Sequence, residues 1–290
     1  MRFGVPPGGA ADPWAHDAAL ILAGAPRSAQ TVEITLGGAE VMVTDTCAVA
    51  LAGADLGAER DDGAALEAGR VHRLPAGARL RFTGSPSPRA ARTLRGVRAY
   101  LCLAGGVAVD ADGGLAPRRP GDLSGVGHAW PDGTAPHPAL ARDPVRFVPG
   151  PDLASLAPGA VEAFAARAWT VSQDSSRMGV RLDGEPLEAG AEILSHPLVP
   201  GAIQIPASGR PIAMLADSPT LGGYPVAGVV ARADLPVIAQ RRPGEVVRFQ
   251  PTTADAARTA WAHQQAALDR VATTLAGDAV WHRLAGDIRG

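Results

Sequence analysis

The 290-residue chain contains no lysine: all 27 of its basic residues are arginine. That absence excludes a Schiff-base lysine, a pyridoxal phosphate anchor and the P-loop lysine that grips nucleotide phosphates. It also leaves no lysine to which biotin could be amide-linked, so any biotin must ride on another chain, and any ATP site is not of P-loop type. Cysteine is almost as scarce. Cys47 and Cys102 stand alone, in the apolar runs Thr46-Cys47-Ala48-Val49 and Tyr100-Leu101-Cys102-Leu103. They read as buried thiols in a reducing compartment. No Cys/His spacing resembles a zinc site, and no metal is expected. The net charge is −2 and no long charge run occurs, so neither nucleic acid nor an anionic membrane is an expected partner. No stretch approaches the roughly 20 apolar residues of a spanning helix, and the start has no signal-peptide core. The expectation is a soluble, cytoplasmic protein.

What the chain has in abundance is glycine and proline. With Gly 35 and Pro 26, they exceed a fifth of all residues. They are spread between apolar runs, which favours many short strands joined by tight turns. Asp12-Pro13-Trp14 starts a helix, with Asp12 as cap and Pro13 in the first turn, and Gly24 ends it. Strands are predicted at 31–36, 40–44, 48–52, 70–74, 78–82 and 98–104. A Gly/Pro-rich linker or large loop spans 105–138. A second series of strands follows at 145–148, 169–171, 178–182, 193–194, 202–205, 212–215, 227–231 and 246–249, with a short helix at about 158–167. A last helix at about 253–275 aligns Ala257, Trp261, Leu268, Val271 and Leu275 on one face. Gly77 to Phe82 echoes Gly244 to Phe249, and Arg118 to Asp122 echoes Arg241 to Glu245, which hints at two related β domains.

The segment from Ser195 to Pro225 is the most informative. Two apolar runs, Ala202 to Ile205 and Ile212 to Ala216, lie between turns at Pro200-Gly201, Ser208-Gly209 and Gly222-Gly223. Polar residues sit at their ends: Gln204, Asp217, Thr220 and Tyr224. Short strands that deliver polar groups to a glycine-rich loop are a common way to build a pocket. Asp217 is either a general base at a strand end or the cap of the following turn. Gly222 and Gly223 can offer backbone N–H groups to a developing oxyanion, with Tyr224 donating a hydrogen bond, or form an ordinary turn. Arg177 suits bidentate recognition of a carboxylate, or a surface salt bridge. Gln204, inside an apolar run, needs a partner if buried: a ligand amide, or a group across the sheet. His196 lies nearest these residues, yet its spacing from Asp217 or Ser175 suggests no triad.

These blocks resemble the allophanate-hydrolase-subunit-2-like family, which includes the C subunit of 5-oxoprolinase, the antagonist of the kinase inhibitor KipI, and part of the carboxyltransferase domain of urea carboxylase. Gly201 to Pro206, Gly209 to Ile212 and Asp217 to Pro225 match G-A-I-Q-V-P-x-x-G-x-P-I and D-x-x-T-x-G-G-Y-P. Ser175 to Leu182 matches S-N-R-M-G-Y-R-L. Gly4 to Asp12 and Glu33 to Gly38 match two blocks near the start. The chain departs from the pattern in three places. It has no Q-D-x-G-R strand ahead of Gly4, carries Gly8 where the family has serine, and lacks G-S-x-S-T after Gly105-Gly106.

The resemblance implies a mainly β protein of two cyclophilin-like open β-barrel domains with a few peripheral helices. They are expected at 1–140 and 141–252, followed by a helix and tail at 253–290. It implies a subunit of an ATP-dependent 5-oxoprolinase, inactive alone, working with companion subunits A and B (KipI-like). Asp217, Thr220 and Tyr224 would be catalytic; Arg177, Gln204, Gly222 and Gly223 would bind the lactam. The alternatives are a biotin-dependent carboxyltransferase half acting on urea-like amides, with biotin carried by a partner, or a non-catalytic antagonist of a KipI-like partner.

Overall fold

A computed structural model of the chain describes residues 4–6, 8–86, 95–109, 115–117, 129–131, 137–138, 144–188 and 193–287, with side chains left undescribed at 108, 109, 115–117 and 278–287. The chain divides into two units: residues 1–11 with 138–263, and residues 12–137 with 264–290. Each is described by itself.

The unit built mainly from 12–137 opens with α1 (Pro13–Leu22), capped as expected: the Asp12 carboxylate accepts from the Ala15 N–H at 2.9 Å. Then come β1 (Val32–Thr35), β2 (Glu40–Met42), β3 (Cys47–Gly53), β4 (Ala58–Arg60), β5 (Arg70–Leu74), β6 (Arg79–Phe82), β7 (Arg98–Leu103), β8 (Val107–Val109) and β9 (Leu115–Pro117). They form antiparallel sheets in the orders β1-β7-β3-β5 and β2-β6-β4, and the β8-β9 hairpin. The central strands β3 and β7 are apolar nearly end to end because both their faces are covered, with α1 packed against them. β6 instead alternates, burying Leu80 and Phe82 between exposed arginines, as a strand with one wet face should. The β8-β9 hairpin lies within the stretch expected to be linker.

The other unit carries β10 (Val145–Pro149), α2 (Ala160–Ala166), β11 (Ala168–Val171), β12 (Gly179–Asp183), β13 (His196–Pro197), β14 (Ala202–Gln204), β15 (Ile212–Met214), β16 (Leu221–Gly222), β17 (Val226–Val230), α3 (Leu235–Ala239), β18 (Val246–Pro251) and the first part of α4 (Ala254–Asp287). Seven of these strands make a closed barrel in the order β10-β17-β14-β15-β12-β11-β18. The open barrel expected for this half is therefore corrected. Parallel pairing of β10 with β18, Val145 against Phe249, shuts the gap. Its core contains Phe147, Phe164, Trp169 and Phe249, with the Trp169 indole N–H donating to the Phe164 carbonyl at 3.0 Å. β13 and β16 form a separate two-stranded ribbon. The strand expected at 193–194 falls instead at 196–197, and Leu194 is 93% exposed. Gly201 and Gly209, the second residues of two expected turns, take φ of 92° and 70°, where a Cβ would be strained.

Among the described residues, no helix is long and apolar enough to cross a membrane, and no group of three or more His, Cys, Asp or Glu side chains could hold a metal ion.

Candidate functional site

Three of the matched sequence blocks meet on the barrel unit through one guanidinium. Arg177, just ahead of β12, donates from Nε to Asp217 Oδ2 at 2.7 Å and from Nη2 to Asp217 Oδ1 at 2.9 Å. The same Nη2 donates to the Gly9 carbonyl at 2.8 Å. The backbone repeats the link, with the Asp217 N–H donating to the Arg177 carbonyl at 3.1 Å. Asp217 follows β15 because that strand ends in a turn in which the Ser218 N–H bonds to the Leu215 carbonyl. The two side chains are 32% and 41% exposed, so the pair stands where a ligand could reach it. The residue expected to act as base and the residue expected to hold a carboxylate hold each other.

The rest of the loop is organised by Gln204. A bulge between Ile203 and Gln204 shifts the register, so that Ile203 faces Gly228 while Gln204 faces Val226. Bulges re-aim side chains. The buried Gln204 amide donates from Nε2 to the Tyr224 carbonyl at 3.3 Å, so of its two expected partners the protein supplies one. Neither Gly222 nor Gly223 takes a positive φ. Gly222 is required for space: a Cβ there would lie 2.4 Å from Gln204 Nε2 and 2.6 Å from Leu198 Cδ1. A Cβ on Gly223 would meet nothing closer than 3.3 Å. Thr220 is buried, and its carbonyl accepts from the Leu198 N–H at 2.9 Å, which extends the ribbon. Tyr224 is 38% exposed.

Two residues that spacing did not single out join this loop. Asp152, just after β10, accepts the Val226 N–H on Oδ2 at 2.9 Å. The same oxygen lies 3.1 Å from His196 Nε2, and His196 Nδ1 donates to the Pro197 carbonyl at 3.1 Å. His196 pairs with Gly222 across the ribbon. The one available signal was Asp152 in Pro149-Gly150-Pro151-Asp152, a polar residue at a strand end followed by turn chemistry.

The other unit gathers its own matched blocks into a buried chain of polar groups. Asp12, which is fully buried, faces His137 Nε2 at 2.7 Å through Oδ2, and its backbone N–H donates to the Tyr100 hydroxyl at 2.9 Å. Tyr100 donates to Glu33 Oε2 at 2.6 Å, and Glu33 pairs with Arg98 at 3.3 Å. Burial first, then the Asp12 and Glu33 charges, raise the Tyr100 phenol well above its ordinary value, so it stays a neutral donor. Trp14 packs edge-on against His137 at 4.7 Å.

Comparison with known proteins places these features. The family model described as carboxyltransferase domain, subdomain A and B, matches residues 3–114 and 115–251. The chain is 32% identical to the 5-oxoprolinase C subunit of Escherichia coli over 92% of its own length and 89% of that protein's. It is 30% identical to the Haemophilus influenzae protein of the same name, over 86% and 84%. A putative urea carboxylase of Emericella nidulans is 28% identical over 84% of this chain but only 22% of its own. Among solved structures, TTHA0988 superposes with a TM-score of 0.67 at 29% identity, and the chain spans 50% of that protein. The urea amidolyase of Kluyveromyces lactis, with a TM-score of 0.76 at 21% identity over 18% of its chain, shares the fold. The sequence blocks, the β architecture and the end-to-end match agree: the chain belongs to the carboxyltransferase-domain family, subdomains A and B, and is a homologue of the 5-oxoprolinase C subunit.

Proposed function

We propose that the chain is the C subunit of a 5-oxoprolinase, which adds water across the lactam amide of 5-oxoproline to give glutamate while ATP goes to ADP and phosphate. The observation that carries this reading is the length-to-length match, 92% of this chain against 89% of the Escherichia coli C subunit. The urea carboxylase relative matches over only 22% of its length. A lactam is a stable amide, hence the role of ATP. The chain has no lysine, so we assign the nucleotide phosphates to a companion subunit of the KipI-like type or its partner.

The Arg177–Asp217 pair suggests how substrate could set the site. The carboxylate of 5-oxoproline matches the guanidinium fork that Asp217 now fills. On binding it would take that fork and release Asp217, and the released carboxylate would accept a proton from the attacking water. The charge that develops on the amide oxygen would be met by the backbone N–H of Gly223 and by the Tyr224 hydroxyl, while Gly222, paired with His196 in the ribbon, gives the loop room to approach. Thr220 would hold the ribbon under this loop, and Gln204 would keep the Tyr224 carbonyl turned inward, away from the oxyanion.

The experiment is reconstitution with the companion subunits, following glutamate release with and without ATP. We expect ATP-dependent release that avidin does not inhibit. Loss of activity on avidin treatment would favour the carboxyltransferase reading with a biotinylated partner. No turnover in a demonstrably assembled complex would count against the hydrolase reading.

A further inference from the structure

We infer that Asp152 is a positioning residue, which fastens the far end of the Asp217–Val226 loop to the barrel. Arg177 and Asp217 secure the loop's near end. At the far end, three separate pieces of chain come together at Asp152. It belongs to the turn after β10 and accepts the N–H of Val226, the first residue of β17, at 2.9 Å. It also faces the imidazole of β13 at 3.1 Å. β13 in turn pairs His196 with Gly222 and Pro197 with Leu221. The residues between these anchors are Gly223, Tyr224 and Pro225, the loop's proposed reacting face.

Backbone holds this face in part, through the N–H groups of Leu198, Ile193 and Ile205 on the carbonyls of Thr220, Gly223 and Pro225. The ribbon has only two residues in each strand, and such a short pair is marginal by itself. Asp152 is half-buried, its side chain 19% exposed against 28% for His196, so its hydrogen bond to Val226 is shielded from water without being sealed off. A charge-assisted bond to a backbone N–H is stronger than a neutral one and has a set direction. Asp152 therefore fixes where β17 begins. Oxyanion donors misplaced by as little as 1 Å lose much of their effect, so a clamp of this kind governs rate without touching substrate. The inference depends on the 5-oxoprolinase reading only in its catalytic arm; the clamp itself is a property of the isolated chain.

Hydrogen–deuterium exchange on the isolated chain tests it, read at peptides covering residues 218–230, beside thermal unfolding. Asp152→Ala removes the hydrogen bond to Val226 and should speed exchange of this segment by about tenfold, while peptides from β11, β12 and β18 stay protected. Asp152→Asn keeps an oxygen for Val226 but loses the charge, and should fall between wild type and Asp152→Ala. In the assembled complex, Asp152→Asn should lower kcat more than it raises KM, and Asp152→Ala should lower kcat further. Wild-type exchange at 218–230 in both Asp152 variants would overturn the inference, as would faster exchange spread evenly over the barrel. If Asp152→Ala fails to fold, Asp152→Asn decides the matter alone. The exchange result holds even if the wild-type complex releases no glutamate, the outcome that sinks the functional reading instead.

Discussion

The two units of this chain each gather charged side chains from distant sequence blocks, but at different depths. In the unit built on residues 12–137, Asp12 and Tyr100 are fully buried and His137, Arg98 and Glu33 nearly so. On the barrel unit, Arg177 and Asp217 are about a third exposed or more. Depth decides what such a set can do. A buried charged group that loses its partner has no water to fall back on, so the network must stay intact and is suited to holding α1 in place. A half-exposed pair can exchange one partner for another at little cost, which is what a binding site requires. One family pattern thus yields a fastener in one unit and a replaceable contact in the other.

This contrast can be broken at several points. Asp12→Ala removes a helix cap and the partner of His137 together, and should destabilise by about 3–5 kcal/mol. Tyr100→Phe removes a hydrogen bond from the Asp12 N–H and another from Glu33, at about 1–3 kcal/mol. Thermal unfolding measures both, and melting points equal to wild type would show that the network is not a fastener. Gly222→Ala forces a methyl into Gln204 and Leu198 and should cost about 1–3 kcal/mol, whereas Gly223→Ala should cost less than about 1 kcal/mol. Equal costs would show that Gly222 is not kept for space.

Asp217→Asn should change stability by under about 1 kcal/mol while lowering turnover of the assembled complex by roughly 10²-fold. Full activity in the folded variant would remove Asp217 from the mechanism. The smallest effect is on pH. Burial holds the His16 imidazole below its ordinary value of 6.5, against the opposing pull of Asp17, Asp12 and Glu33. The unfolded chain then takes up a proton that the folded chain resists. Stability from this source is complete above 6.5 and is lost as pH falls from there through the lowered folded value. His16→Gln should flatten that part of a stability–pH curve; an unchanged slope would show that His16 does not carry it.

Much of the fold could be read from turn chemistry and alternation. Asp12, Pro13 and Gly24 delimit α1 as expected, and the echo between residues 77–82 and 244–249 corresponds to strands of one pattern, with Leu80 and Phe82 buried in β6 and Val247 and Phe249 in β18. The companion echo at residues 118–122 lies outside the described residues. What escaped was either short or non-local. β4, β16 and α3 span only two to five residues, too few for a period to emerge. The last helix runs to Asp287, beyond the expected 275, because its later residues are helix-compatible even where the apolar stripe fades. Closure of the barrel depends on Val145 meeting Phe249, a contact that no local window contains. The candidate site divides the same way. Arg177, Gln204 and Asp217 to Tyr224 were legible as polar residues at strand ends. Their mutual bonds were not, nor was Asp152, which lies 74 positions from the amide it receives.

The β10–β18 closure also has a consequence for synthesis. β10 begins at Val145 and the strand that seals its open edge at Val246. While the ribosome makes the intervening residues, β10 can pair with β17 once that has emerged, yet one rim of the barrel stays unpaired. An exposed strand edge is a template for other chains, and contacts between residues so far apart form late. The nascent barrel is therefore most at risk of aggregation until Pro251 has emerged from the ribosome, and docking of β18 ends that exposure.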